Sequence, residues 1–221
     1  MDNLKDLYVV GAGGFGRETL WLAERINQVE RTWNIRGFID DNEQMHGREL
    51  GGYPVLGGCD YFADCSGEVW VVVAIGSARV KRIVVDKLSA YPNLHFATLI
   101  DPAVIMSDDM RVGEGCILCA GSVFTVNITL GKHVIVNLNC TVGHDSVLED
   151  YVTVYPGVNV SGCVRVGEES ELGTGMQIIQ GMNIGKRSIL GAGAVVVGDV
   201  PQDCTAVGVP AKPIKLHEEN P

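Results

Sequence analysis

From Ile100 onward the chain can be written in sixes. An apolar residue leads each hexad, at Ile100, Leu118, Val142, Val160 and so on to Val196, and seventeen hexads hold register without an insertion. The fifth position is small or apolar throughout, as at Cys140, Ser146, Val152 and Val158, and Gly often follows the lead, as at Gly131, Gly143 and Gly191. The fifth position and the next lead are two residues apart, so on a short strand both side chains point inward. Positions two to four then turn a corner, where Gly, Asn and Asp are the natural occupants. Six is not a multiple of the helical period of 3.6, so an amphipathic helix does not fit. Short strands joined by corners and stacked in register bury one continuous apolar column. The pattern predicts a parallel β-helix over residues 100–204, with a tail over 205–221.

Residues 1–99 follow a different rhythm. Apolar runs at Leu7–Val10, Ile35–Ile39, Val69–Ile75 and Leu94–Thr98 predict strands, and Arg17–Val29 and Ser77–Ala90 predict helices. Val69–Ile75 is apolar on both faces, which predicts a strand buried on both sides of a parallel sheet. The alternation describes a small α/β unit.

Composition adds limits. The chain has 221 residues and is 46% hydrophobic and 20% charged, ordinary values for a globular protein of one or two domains. The absence of a signal-peptide pattern and of any apolar run long enough to span a bilayer makes a cytoplasmic protein, with no membrane partner, the expectation. A net charge of −10 argues against nucleic acid, and a phosphorylated ligand must find local basic groups. Seven scattered cysteines, including Cys116 and Cys119 in a C-x-x-C, have no second pair or His cluster beside them and read as reduced packing residues.

Candidate chemistry lies at two places. Gly11, Gly13 and Gly16 in "YVVGAGGFGRET" fit G-x-G-x-x-G after a predicted strand and before a helix, and Asp40 and Asp41 lie near the expected place of an acidic ribose ligand. That motif alone is weak evidence for NAD. The first part is also too short for two mononucleotide halves, which favours a mononucleotide or a nucleotide-sugar. In the repeat, His144 falls at a corner position, so its ring leaves the coil; Asp145 beside it either caps its own turn or supports the imidazole. Gly162 follows His144 by eighteen residues, one coil if three hexads close it. Lys186 and Arg187 stand one coil after Glu168 and Glu169, a spacing that suits a charge ladder.

Seven segments, "VVGAGGFGRE", "GFIDDN", "VVVAIGS", "DPAV", "VGHDSV", "LGAGAVV" and "GVPAK", occur in the order found in the bacterial hexapeptide-repeat sugar acetyltransferases of the PglD/NeuD family, which the chain resembles over nearly its whole length. The resemblance implies an α/β half-Rossmann domain over 1–99, a left-handed β-helix over 100–204, and acetyl transfer from acetyl-CoA to an amino group of a UDP-, GDP- or dTDP-linked amino sugar, with no metal. It implies a homotrimer with the active site between chains, in the biosynthesis of a surface polysaccharide or glycan. It makes His144 the general base, supported by Asp145, and imidazole suits the role because its ordinary pKa lies near working pH. It places Gly162, Thr153, Thr174 and Ala192 along acetyl-CoA, with Asn137 near the base and Lys212 of "GVPAK" beside phosphate, a place Lys186 or Arg187 would share. It gives Gly13, Gly14, Phe15, Asp40, Asp41 and Gly76 to the nucleotide-sugar. Thr153 and Phe15 stand where family members often carry His, which leaves the sugar and the choice between N- and O-acetylation open.

Other readings differ in what they require. A γ-type carbonic anhydrase shares the repeat but needs several convergent His ligands, and His133 and His144 are the two histidines of the repeat. A scaffold stabilising a biosynthetic partner would not bind acetyl-CoA. An NAD-linked enzyme would give His144 no role.

Overall fold

A computed structural model describes residues 4–217. The N-terminal sheet contains β1 (Lys5–Val10), β2 (Trp33–Ile39), β3 (Glu49–Leu50), β4 (Tyr53–Gly57), β5 (Val69–Val73) and β6 (Leu94–Phe96), in the order β3-β4-β2-β1-β5-β6. Every neighbouring pair is parallel except β3 and β4. Two helices, α1 (Gly14–Val29) and α2 (Ala78–Leu88), complete the unit. β5 lies between β1 and β6, and Val71, Val72 and Val73 are buried as its uniform apolarity requires. The hairpin of β3 and β4 was not foreseen. Its signal is Gly51-Gly52, both at positive φ, the turn chemistry of a two-residue hairpin loop.

Seventeen two-residue strands follow, from β7 (Leu99–Ile100) to β23 (Val195–Val196). Each pairs in parallel with the strand eighteen residues away, as Thr141 pairs with Asn159 and Val142 with Val160. Three strands make one coil, and every third strand stacks into one of three sheets. Leads from Leu118 to Val196 are buried in one core, while Ile100, Met106 and Val112 at the open end are only partly buried. The serines at fifth positions are satisfied inside the coil: Ser122 Oγ donates to Asn137 O at 2.8 Å, and Ser146 Oγ to Ser161 O at 3.1 Å. A small hydroxyl therefore substitutes for a methyl without an orphaned polar atom.

The corners share one conformation. Every fourth position of a hexad from Gly115 to Gly193 has positive φ, whether Gly or a larger residue such as Asn127, Asp145 or Cys163. Larger residues there cost roughly 1–2 kcal/mol each. From His133 to Gly193 the cost is offset by a ladder hydrogen bond from each corner N–H to the coil before it, as from Asp145 to Val126 O at 3.1 Å, while Asn127 N–H donates to the Asp109 carboxylate at 3.1 Å. The expected start of the tail, residue 205, falls inside β24 (Cys204–Val207), which pairs parallel with β22 (Ile189–Leu190) and antiparallel with β25 (Lys212–Leu216). Residues 218–221 of that tail lie outside the described residues.

The α/β unit docks on the first of the three sheets. Ile117 and Ile135, whose side chains point out of the coil, are buried in a cluster with Leu20 and Ala23 of α1. Arg25 forms a two-pronged pair with Asp101, at 2.6 and 3.0 Å. Helix α2 adds Ala78 N–H to Glu171 Oε1 at 2.9 Å and an Arg82 guanidinium shared by Glu168 and Glu169. That arrangement corrects the charge ladder expected from spacing. The two glutamates are drawn to α2, and Arg187 instead grips Asp203 at 2.6 and 2.8 Å.

Candidate active site

His144 leaves the coil at the corner between the second and third sheets, and its ring is about half exposed. Nδ1 lies 2.8 Å from Asp145 Oδ2. The left-handed backbone of Asp145, φ 61°, brings its carboxylate back beside the preceding side chain. Asn127, one coil earlier at the same corner, donates from Nδ2 to Asp145 Oδ1 at 2.7 Å. That hydrogen bond first, and the His144 contact second, hold the Asp145 carboxyl below its ordinary pKa. Asp145 is thus an ionised acceptor fixed from both sides, and Asn127 is a member of the site that motif reading missed. Its spacing of eighteen from Asp145 was the available signal.

Gly162 stacks against the other nitrogen. A Cβ at Gly162 would stand 2.4 Å from His144 Nε2, so only glycine leaves the ring its place. The Gly162 N–H has no acceptor among the described residues. The corner therefore joins an imidazole anchored at Nδ1, an Nε2 free of side-chain cover, and a backbone donor beside it.

The second candidate region lies at the carboxyl ends of β1, β2 and β5, where α/β sheets bind ligands. Gly11 has φ 104°, and a Cβ at Gly16 would lie 1.8 Å from Gly11 O, so helix α1 approaches the strand closely. Gly13 caps α1, and a methyl group at Gly13 or Gly14 would meet no atom within 4 Å, so the loop is open. Asp40 Oδ2 accepts from Ala12 N–H at 2.8 Å and so ties the glycine loop to the end of β2. Asp41 is engaged as well, by Cys59 N–H at 2.8 Å and Lys87 Nζ at 2.9 Å; the backbone bond is the main reason its carboxyl pKa is lowered. Gly76 faces the β-helix, and a Cβ there would stand 3.3 Å from Tyr155 Oη. Phe15 is half-buried on α1, packed against the cluster that joins the two units.

Other candidates are not gathered at His144 within one chain. Thr174 and Ala192 stack eighteen residues apart at the corner between the first and second sheets, and Lys212 is exposed on β25. Asn137 Oδ1 accepts from Leu138 N–H at 2.7 Å within its own turn. Thr153 is a correction to the open groove position implied by resemblance. It lies on the first sheet beneath α2 and is 1% exposed, and its hydroxyl accepts from Lys81 Nζ at 2.9 Å. An outward-facing position of that sheet is covered because the α/β unit sits on it.

Lys81 is a buried amine that the sequence pattern did not single out. Burial pushes its pKa down to about 7. His133 is also buried, stacked on Tyr151 at 5.3 Å and edge-on to Phe96 at 4.7 Å, and burial pushes its pKa down to about 4. It is packing for the interface, not a companion to His144. Among the thiols Cys163 is exposed, which corrects the reading of all seven as packing residues.

A hexad-built β-helix with an anchored corner imidazole, docked to a Rossmann-like α/β unit with an open glycine loop, defines an acyltransferase of the hexapeptide-repeat class. The PglD N-terminal domain family matches residues 6–88. The GDP-perosamine N-acetyltransferase of Escherichia coli O157:H7 is 29% identical over 214 residues, covering 94% of this chain and 95% of its own. The acetyltransferase domain of PglB from Neisseria gonorrhoeae FA1090, solved with acetyl coenzyme A, superposes with a TM-score of 0.86 and 32% identity over 96% of this chain and all of that one. PerB from Caulobacter crescentus, solved with CoA and GDP-perosamine, gives 0.84 and 28% over 95% and 97%. The chain belongs to the PglD/NeuD family of bacterial hexapeptide-repeat sugar acetyltransferases.

Proposed function

We propose that the protein transfers acetyl from acetyl-CoA to the amino group of a nucleotide-linked amino-deoxy sugar by direct attack, with His144 as general base. The observation that carries this reading is the corner itself: Asp145 holds Nδ1, and Nε2 faces the space beside Gly162. With the proton on Nδ1 donated to Asp145, Nε2 keeps its lone pair. The sugar amine attacks the thioester carbonyl, a C–N bond forms, and Nε2 takes the proton the nitrogen sheds. The C–S bond then breaks, and the thiolate leaves with the proton returned by His144. The Gly162 N–H, without an acceptor among the described residues, supports the carbonyl oxygen as it gains charge in this reading. No covalent intermediate is required.

The acceptor's diphosphate is assigned to the Gly13–Gly14 loop and the N-terminus of α1, where free N–H groups and the helix dipole favour an anion. Asp40 shapes that loop through Ala12, and Asp41 and Gly76 border it. Thr174 and Ala192 lie on a different corner from His144, and Lys212 lies on β25 at the end of the first sheet. If they contact acetyl-CoA, a second copy must supply one of the two sets, which supports a homotrimer with sites between chains. Relatives solved with CoA and GDP-perosamine, or named for that sugar, support an amino sugar as the acceptor class.

The test is thiol release from acetyl-CoA across a panel of nucleotide-linked amino sugars, comparing parent with His144→Ala. The expected result is a fall in kcat of ~10²–10⁴ with acetyl-CoA affinity little changed. A variant that binds both substrates and turns over near the parent rate would end the assignment.

A further inference from the structure

The His144 corner holds one more ligating side chain. Cys163 follows Asp145 by one coil and occupies the same left-handed position, φ 58° against 61°. Its N–H donates to His144 O at 2.7 Å, so the ladder that builds the corner also fixes the thiol beside the ring. Sγ lies 4.0 Å from His144 Nδ1, and that nitrogen lies 2.8 Å from Asp145 Oδ2. One ligand atom from each of the three residues falls within 4.8 Å of the others, and all three side chains are exposed.

Thiol and carboxylate face the same ring nitrogen. A Cys–His–Asp relay needs them on opposite nitrogens, with the carboxylate orienting the ring and the thiol meeting the far side. The corner is therefore not a nucleophile site. It is the arrangement of a chelate: an imidazole nitrogen, a thiolate sulfur and a carboxylate oxygen converging on one point.

We propose that His144, Asp145 and Cys163 bind a thiophilic divalent cation, Zn2+ being the type, and that the bound ion switches acetyl transfer off. Zinc takes this mixture of N, S and O ligands in a tetrahedron whose N–S edge is about 3.5 Å, so the pair must close by about half an ångström. The side chains stand half in solvent and have that freedom. Mg2+ and Ca2+ prefer oxygen ligands throughout and do not match the set. Asn127 keeps its hydrogen bond to Asp145 Oδ1, which leaves Oδ2 to ligate and orients the carboxylate from the second side.

The inhibition rests on His144 being the base, and its proton balance is explicit. The Cys163 thiol releases its proton to solvent. Binding at Nδ1 requires that nitrogen's lone pair, so the ring proton moves from Nδ1 to Nε2, and the imidazole stays neutral. Nε2 then carries a proton and has no pair with which to accept one from the sugar amine. The tautomer that holds metal and the tautomer that catalyses exclude each other.

The experiment uses the full chain in metal-free buffer with a non-thiol reductant. Co2+ serves as the optical probe, and transfer is followed by the mass of the acetylated sugar because released CoA also binds Zn2+. The parent should show a thiolate-to-Co2+ charge-transfer band, and Zn2+ should inhibit it reversibly to EDTA and protect Cys163 from iodoacetamide. Cys163→Ser should keep the metal-free rate, lose the band, and need about tenfold or more Zn2+ for half inhibition. Mg2+ should do none of this. No band in the parent, or equal Zn2+ sensitivity of parent and Cys163→Ser, overturns the proposal. A band with an undiminished rate leaves the metal site standing and removes the inhibition and the base assignment together.

Discussion

Gly162→Ala isolates the placement of the imidazole. The added Cβ would meet His144 Nε2 at 2.4 Å, Cε1 at 2.6 Å and Cδ2 at 2.8 Å, and those are its nearest neighbours. Ordinary van der Waals contact needs about 3.5 Å, so the ring must retreat by about 1 Å. It can do so at little cost to the fold, since the ring is half exposed and Gly162 is not at positive φ. Stability should change by no more than about 0.5 kcal/mol. The chemistry is less tolerant. A misplacement of that size can cost about 10²-fold, equivalent to about 2.7 kcal/mol in the barrier. The assay is kcat and KM from thiol release, with acetyl-CoA affinity by calorimetry and a thermal melt on the same preparation. The expected signature is a fall in kcat with affinity and melting temperature near those of the parent. A Gly162→Ala protein with unchanged kcat would mean that Nε2 does not do its work beside Gly162.

Three further outcomes follow from the packing. Val142→Asp places a carboxylate where 1% of a core valine is exposed; it forfeits about 1.5–3 kcal/mol of burial and adds a buried charge, so a melting temperature equal to the parent's would mean the hexad register is wrong. Lys81 has a folded pKa of about 7 against an ordinary 10.5, so between those values the unfolded chain binds more protons. Stability from this group therefore rises with pH across that window and is lost as pH falls from 10.5 to 7. Lys81→Met should flatten the urea-derived stability profile there by up to about 1.4 kcal/mol per pH unit, and parallel profiles for the two proteins would contradict a buried amine. Sedimentation equilibrium should give a trimer, and a monomer that keeps full activity would show that one chain completes the site.

The β-helix was legible because it is a local rule repeated. Strand geometry puts the fifth position and the next lead on one side, and a six-residue period with no insertion cannot drift, so Val142, Leu148 and Val160 declare their burial without tertiary information. His144 and Gly162 were legible together for the same reason, because eighteen residues make one coil. The alternation of apolar runs and helix signals likewise gave the α/β unit. What the period does not encode is what lies outside the coil. Ile135, Thr153 and Glu171 occupy equivalent outward positions on one sheet, yet they are met by α1 and α2 while their counterparts on the other sheets are not. Docking of the two units decided that Thr153 is sealed beneath Lys81 and that Glu168 and Glu169 pair with Arg82 instead of their own coil's neighbours. The left-handed corner decided that Asp145 and Cys163 both turn toward one nitrogen of His144. Sequence spacing fixed which residues stack, and side-chain direction and domain contact, which depend on the whole chain, fixed what each of them touches.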